Sequence, residues 1–405
     1  KSVDPYTKVR IILMNGIEVE AAIFSHQFQR HCADNDLRRE LAMTRRIEQQ
    51  QQKRINWLKP IDETALETTI GYEHVAVDLT AWLAQNEPDK NVKSALDFAL
   101  LEDFDHLYRY ANLMSLDSNT PAENLVKSYV DITPGRPTIA EHRYPMDSPK
   151  YHVDFKKADI KTKLNTLIIT AAEQQTMNFY MNVGNSYYTD LGRQLYQEIA
   201  MIEEQHVTHY GSLLDPNCTW LESWLLHEYM ECYLYYSFYM DELDPNVKSV
   251  WGLHLEQEIA HLHKAAELLK KYEKKDWQDY VPESFPKLLQ FYDTKDYVRN
   301  ILGTQIELTA QKEKYVNVQD LSENSKFFFY QDKINYDVNS VPSHVVIQKH
   351  IDQMKTDYRA EAEQNPVPEL QDRTVDNVNI ARSISGQGNN YIPDVNKSDS
   401  TYTAT

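Results

Sequence analysis

The sequence predicts an all-α protein, with two four-helix units in tandem followed by a helical C-terminal extension. Three observations carry this. The 405 residues include only 10 Gly, where about 7% is usual, so there is little material for the tight turns of an all-β chain. Apolar residues recur at helical spacing over long stretches, as in Leu164, Leu167, Ile168, Ala171 and Ala172, then Leu195, Ile199 and Ile202. The chain also repeats itself when the second half is slid back 155 positions: Asn91-Val92-Lys93-Ser94 returns as Asn246-Val247-Lys248-Ser249, Thr7-Lys8 as Thr162-Lys163, and Phe24 as Phe179. A duplicated four-helix unit is the natural account.

Eight long helices are expected, over roughly 7–31, 36–56, 63–85, 91–115, 160–183, 190–212, 219–240 and 246–272. Turn-forming residues mark the corners: Asp34-Asn35-Asp36, Lys59-Pro60, Glu87-Pro88-Asp89, Gly184-Asn185, Asp215-Pro216-Asn217 and Asp244-Pro245-Asn246. The first unit is thus 1–117 and the second 160–275. Between them, 118–159 holds Pro121, Pro134-Gly135, Pro137, Pro145 and Pro149 and reads as a long linker. Residues 276–364 form the extension, with helices near 294–315 and 341–364, and 365–405 is a polar tail expected to be extended or disordered.

The balance of charge is −19, which argues against a nucleic-acid partner, because phosphate needs Lys/Arg patches. No run approaches the roughly 18 apolar residues of a membrane span. Cys32, Cys218 and Cys232 are too few and scattered for a disulfide framework or a Cys-x-x-Cys metal knuckle. A reducing, cytoplasmic setting is expected. The chain opens at Lys1 rather than Met, which leaves room for a native beginning upstream.

On the 155-residue offset, acids fall at Glu18, Glu48, Glu73 and Asp103 in the first copy and at Glu173, Glu203, Glu228 and Glu258 in the second. Each helix receives one, and within every hairpin the two are 30 residues apart. From Glu228 the chain climbs about 13 residues to the corner near 244 and descends about 12 to Glu258, so at 1.5 Å per residue both carboxylates lie at one depth. Three residues after the second acid comes histidine in His106, His206 and His261, and Gln51 in the fourth case. Positions i and i+3 share a helix face, so carboxylate and imidazole can reach one metal. Such a pair alone is weak, since about two are expected by chance in so acidic a chain. The weight comes from all three falling on the lattice. Four carboxylates at one level of a bundle are intolerable as bare charges, and a pair of divalent metals resolves the conflict.

In these residues the chain resembles the ferritin-like di-iron and di-manganese carboxylate superfamily, whose ligands are one Glu from each of two helices plus Glu-x-x-His from each of two others. The resemblance spans roughly 5–275, and the second copy has every ligand type: Glu173, Glu203 with His206, Glu228, and Glu258 with His261. It is most similar to the rubrerythrin branch, because Glu231 lies one turn after Glu228. The resemblance implies two iron ions per site, or manganese, at one or two sites per chain. It also implies Glu228 or Glu173 as bridge, His206 and His261 as terminal ligands, Glu231 as a mobile catalytic ligand, and a catalytic tyrosine, Tyr233, from among Tyr229, Tyr233, Tyr235, Tyr236 and Tyr239, which crowd the helix beside Glu228. The rubredoxin module of rubrerythrins is missing, so an external electron-donor protein is expected. Family members also cross the bundle by a long connection, whereas only 25 residues separate Glu203 from Glu228. Two pairings stay open. Either each unit closes its own site, or the hairpin of Glu73, Asp103 and His106 faces Glu173, Glu203 and His206, leaving Glu228, Glu231, Glu258 and His261 to meet Glu18 and Glu48.

The expected function is a di-iron oxidoreductase that reduces hydrogen peroxide or dioxygen. Its rivals are a manganese catalase-like dismutase, a di-iron oxygenase that uses the Tyr-rich face as a pocket, and a non-catalytic helical scaffold. Gln51 sits in the Gln49–Gln52 run, which reads as a polar face, so the first copy could be a degenerate one. His209, His254 and His263 are candidates to orient ligands, whereas His74 and His227 point about 100° away from the lattice. The 276–405 segment is expected to serve as a homo-oligomer arm.

Overall fold

Helix starts recur at the same interval as the acids. In the computed structural model, which describes residues 3–133, 151–306, 315–325, 341–355, 364–370 and 380–382, Asp4 and Asp159 cap the first helices of the two copies, and Asp34 and Thr189 the second. Thr64 and Thr219 cap the third helices, each in a reciprocal box with Glu67 or Glu222, and Asp89 and Asp244 the fourth. Each side-chain oxygen accepts from an otherwise unpaired N–H of the first turn. The helices are α1 (Pro5–Arg30), α2 (Asn35–Leu58), α3 (Ala65–Asn86), α4 (Lys90–Ser118), the short α5 (Glu123–Val126), α6 (Ile160–Ser186), α7 (Asp190–Gly211), α8 (Trp220–Asp241) and α9 (Pro245–Glu273). In the linker region Val126, Val130, Ile132 and Phe155 are buried, so its described ends are packed.

The eight long helices do not sort by repeat. Hairpin α3/α4 packs on α6/α7, and α1/α2 packs on α8/α9, while α1 runs along α6 at the seam between the two groups. Each level of acids is therefore surrounded by one hairpin from each copy, rather than by 1–117 or 160–275 alone. Buried polar latches hold the exchange. Thr7 donates to Glu242 at 2.6 Å and Arg10 at 3.3 Å. One repeat away, Thr162 and Asn165 donate to Glu87. At the seam, Gly16 lets α1 approach α6 so closely that Asn15 and the Ile12 carbonyl both bond Gln175. A Cβ on Gly16 would lie 2.6 Å from the Gln175 amide nitrogen.

The extension differs from expectation at three places. Helix α10 spans Lys295–Gln305, and Tyr315–Asn317 forms a strand, β1, paired antiparallel with β2 (Ile380–Arg382), so the expected helix does not reach 315. Helix α11 (Pro342–Met354) ends at Lys355, whose φ of 71° is left-handed; of the rest of that expected helix, 356–363 lie outside the described residues. Within the expected tail, Val367 and Leu370 are buried, whereas 371–379 and 383–405 lie outside the described residues. Helix α11 lies across α4 and α7, where Ser343 donates through its N–H and hydroxyl to Glu198 at 2.9 and 3.2 Å. On this packing Val346 and Ile347 of α11 are buried on the chain's own bundle. No described helix is long and apolar enough to cross a membrane.

Candidate metal centres

All eleven lattice acids and histidines, together with Glu231, are buried and fall into four groups whose candidate ligand atoms lie within 4.8 Å of one another. Asp103, Glu173, Glu203 and His206 form one group, and Glu73, His106 and Glu203 the next. Glu203 belongs to both, so these six residues make one double-histidine centre between α3, α4, α6 and α7. The other two groups are Glu48, Glu228 and His261, and Glu18, Glu231 and Glu258. They make a single-histidine centre between α1, α2, α8 and α9. The pairing left open by the sequence is the crossed one. Asp103 and His106 of the first copy complete the ligand set of Glu173, Glu203 and His206.

At the double-histidine centre, His106 Nδ1 is 2.9 Å from Glu203 Oε1 and His206 Nδ1 is 3.1 Å from Glu203 Oε2. His206 Nδ1 also lies 3.5 Å from Asp103 and 3.7 Å from Glu173. The remaining ring nitrogen, Nε2, is 2.5 Å from Glu102, the arrangement in which a carboxylate fixes the tautomer and orientation of a metal-binding imidazole. Tyr180 donates to Glu73, and Thr80 donates to Asp103 at 3.3 Å. At the single-histidine centre, His261 Nδ1 is 3.1 Å from Glu258 and 3.7 Å from Glu228. Gln51 donates to Glu258, Trp224 to Glu228 and Tyr235 to Glu18.

Electrostatics mark both centres as starved of positive charge. Burial, then repulsion from Glu258, raises Glu48 to about 7, and burial with Glu203 nearby raises Glu173 to about 7. Burial first and neighbouring carboxylates second push Glu18, Glu73, Asp103, Glu228 and Glu231 well above the ordinary range. Burial also opposes ionisation of Glu203, but the His106 and His206 imidazoles outweigh it and hold this carboxyl low. His206 is driven up despite burial, by hydrogen bonds to Glu102, Glu173 and Glu203. Several candidate ligand oxygens have no hydrogen-bond partner among the described residues: Glu18 Oε2, Glu48 Oε2, Glu73 Oε2, Glu173 Oε1 and Glu231 Oε2. Buried acceptors are almost always satisfied, so orphaned oxygens converging on one level fit cations. Carboxylate and imidazole donors of this kind suit iron, manganese or zinc.

Other residues depart from the sequence reading. Tyr233 does not join a centre; its hydroxyl donates to the Lys287 carbonyl at 2.9 Å. The strap at 281–291 covers this Tyr-rich face, with Tyr229 bonded to Ser284 and Phe285 against three tyrosine rings, so the face is not an open pocket. Gln51 is fully buried rather than part of a polar face. His254 does support a centre, with Nδ1 3.2 Å from the Tyr235 hydroxyl. His263 is exposed, and His209 is buried against Phe98. As expected, His74 pairs with Asp78 and His227 with Glu20, away from the lattice. Glu102, Tyr180 and Trp224 were not anticipated, and of the five tyrosines named beside Glu228 it is Tyr235, not Tyr233, that bonds a centre. Tyr180 and Tyr235 carried a usable signal, since each lies seven residues, two turns, beyond a lattice acid, Glu173 or Glu228. Comparison with family models, with curated proteins and with solved structures finds no match to this chain.

Proposed function

We propose that the chain is a ferritin-like, rubrerythrin-like dimetal oxidoreductase that reduces hydrogen peroxide or dioxygen with electrons from an external donor. The observation that carries this reading is Glu203, which belongs to both ligand groups of one centre and has an imidazole beside each of its oxygens. Glu203 would bridge two divalent ions, Glu73 and His106 would hold one, and Asp103, Glu173 and His206 the other. Bound iron or manganese would supply the electron exchange with the oxidant. The protein's part is to keep that exchange dry, to aim His206 through Glu102, and to fix Glu73 and Asp103 through Tyr180 and Thr80.

The single-histidine centre has five carboxylates, Glu18, Glu48, Glu228, Glu231 and Glu258, to one imidazole. Glu231, with a buried free oxygen, is the candidate mobile ligand there. Gln51 stands where the lattice calls for histidine, so a shift between carboxylate and imidazole has no histidine to end on from that helix. Manganese-dependent peroxide dismutation is the second reading; it draws on the same carboxylate and imidazole donors and needs no electron donor. The three cysteines are unpaired thiols, consistent with a reducing compartment.

Elemental analysis after anaerobic loading tests the proposal. Wild type should hold about two ions at the double-histidine centre, and the His106→Ala/His206→Ala variant should lose them. Wild-type protein that stays metal-free after loading would overturn the reading.

A further inference from the structure

Tyrosine rings lead from the double-histidine centre to the surface. Tyr180, bonded to Glu73, is fully buried, and its ring centroid lies 5.8 Å from that of Tyr196. Tyr196 lies 5.2 Å from Tyr187, and Tyr187 lies 4.8 Å from Tyr188. Tyr188 is 70% exposed, at the α6–α7 corner. Tyr110 packs beside the inner end, 5.2 Å from Tyr180 and 4.9 Å from Tyr196.

The duplication supplies an internal control. At the positions 155 residues away, the single-histidine bundle has Ser25 for Tyr180, Leu41 for Tyr196, Cys32 for Tyr187, Ala33 for Tyr188 and Ala265 for Tyr110. Packing of this architecture does not require a phenol at any of the five. The one tyrosine at the other centre, Tyr235, meets His254 and the buried Trp251, and from Trp251 the next ring is Phe238. Phenylalanine carries no oxidisable group of comparable ease.

Proton-accepting carboxylates sit at the inner end of the chain of rings and at Tyr187, one ring short of the exposed Tyr188. A phenol gives up an electron readily only if its proton has somewhere to go. Tyr180 faces the Glu73 carboxylate, and Tyr187 donates to the Asp117 carboxylate at 2.9 Å. Between them Tyr196 meets the Thr69 hydroxyl at 2.6 Å, whose own proton is directed to the Ala65 carbonyl. With no base, Tyr196 holds the oxidised state only in passing.

We infer that Tyr180, Tyr196, Tyr187 and Tyr188 form an electron relay between the double-histidine centre and a one-electron reductant at the surface. This rests on the dimetal reading. The oxidant is hydrogen peroxide at the loaded centre. At each passage one electron enters from the reductant at Tyr188 and moves through Tyr187, Tyr196 and Tyr180 to the centre; when oxidised, Tyr180 passes its proton to Glu73 and Tyr187 to Asp117, each proton returning on re-reduction, while the exposed Tyr188 exchanges its proton with solvent. Two passages deliver two electrons from the reductant, and with two protons from solvent they convert one hydrogen peroxide to two waters.

The experiment uses the full iron-loaded chain mixed with hydrogen peroxide and no added reductant, followed by freeze-quench EPR and by spin trapping with peptide mass spectrometry. The expected result is a tyrosyl radical signal and a trap adduct at Tyr188. In Tyr196→Phe and, separately, Tyr187→Phe, the adduct should fall at least about tenfold, the factor of ~1.4 kcal/mol in barrier, while iron content and helicity stay unchanged. An undiminished adduct at Tyr188 in either variant overturns the relay. So does consumption of more than one peroxide per dimetal centre, beyond what oxidation of the two iron(II) ions accounts for, by iron-replete wild type with no tyrosyl signal. Failure to take up iron instead overturns the metal reading beneath it.

Discussion

Removing metal should invert the usual pH dependence of an acidic protein's stability. Glu48 and Glu173 are both held at about 7 in the folded chain against an ordinary 4.5. A carboxyl raised on folding favours the native state while protonated. Its contribution is complete below about 4.5 and is lost as pH climbs through about 7. At about 1.4 kcal/mol for each tenfold change in proton affinity, each group costs the metal-free fold on the order of 3 kcal/mol by pH 8. The raised His206 and His261 act in the same direction, since imidazolium forms held by carboxylates are lost as pH rises. Glu203 and Glu258, held low, stay ionised throughout the range from 5 to 8 and do not oppose the trend. Differential scanning calorimetry of chelator-treated protein should therefore show Tm falling by on the order of 10 °C between pH 5 and 8. Adding iron(II) or manganese(II) should reverse the slope, because ligands must be deprotonated to bind. A metal-free Tm that is flat or rises over this interval would refute the placement of these carboxyls in unneutralised clusters.

Three further outcomes follow from named contacts. Gly16→Ala forces a Cβ onto Gln175, whose side chain is tied to Asn15 and the Ile12 carbonyl; chemical denaturation should show a loss of about 1–3 kcal/mol, and Gln175→Ala in the same chain should recover part of it. Gln51→His restores the imidazole that the single-histidine centre lacks and should tighten manganese(II) or iron(II) binding there by about 10–100-fold, the scale on which ligand-shell changes act, as read by calorimetric titration. Ser343→Ala leaves Glu198 short of one donor beneath α11 and should cost about 1 kcal/mol, with faster proteolysis at the ends of α11 as the confirming measurement.

The level of the acids was legible because helical rise is constant: a spacing of 30 residues across a hairpin sets equal depth whatever the neighbours are. Which hairpins face each other was not legible. Both pairings use the same depths, and the choice rests on tertiary contacts such as Thr7 to Glu242, between residues 235 apart. The tyrosines show a finer limit. Tyr233 and Tyr235 share a helix and a composition, yet two residues turn the side chain by about 200°, so one meets Lys287 and the other Glu18. Gln51 looked solvated because its neighbours in the run are polar, but the i+3 rule that placed histidine elsewhere applied to it as well. Glu102 stayed hidden because a residue adjacent to a ligand points away from its own helix's metal; it reaches His206 on a different helix. In the extension, Tyr315 belongs to β1, whose partner β2 lies far along the chain, and a long-range strand pairing of this kind leaves no local periodicity to read.

The interleaving of the copies carries an evolutionary reading. A single ancestral copy, dimerised about a twofold axis by the same exchange of hairpins, would build two identical centres and could change neither without changing both. Joining the copies in one chain removes that constraint, because each position then exists twice and each version serves only one centre. The chain bears the marks of such a release: one side acquired or kept its second imidazole and a run of phenols, while the other has Gln51 and Glu231. Covalent linkage also replaces encounter between two molecules with a high effective concentration of one half for the other. Two centres that began as copies are thereby free to take up different work while still assembling in one folding event.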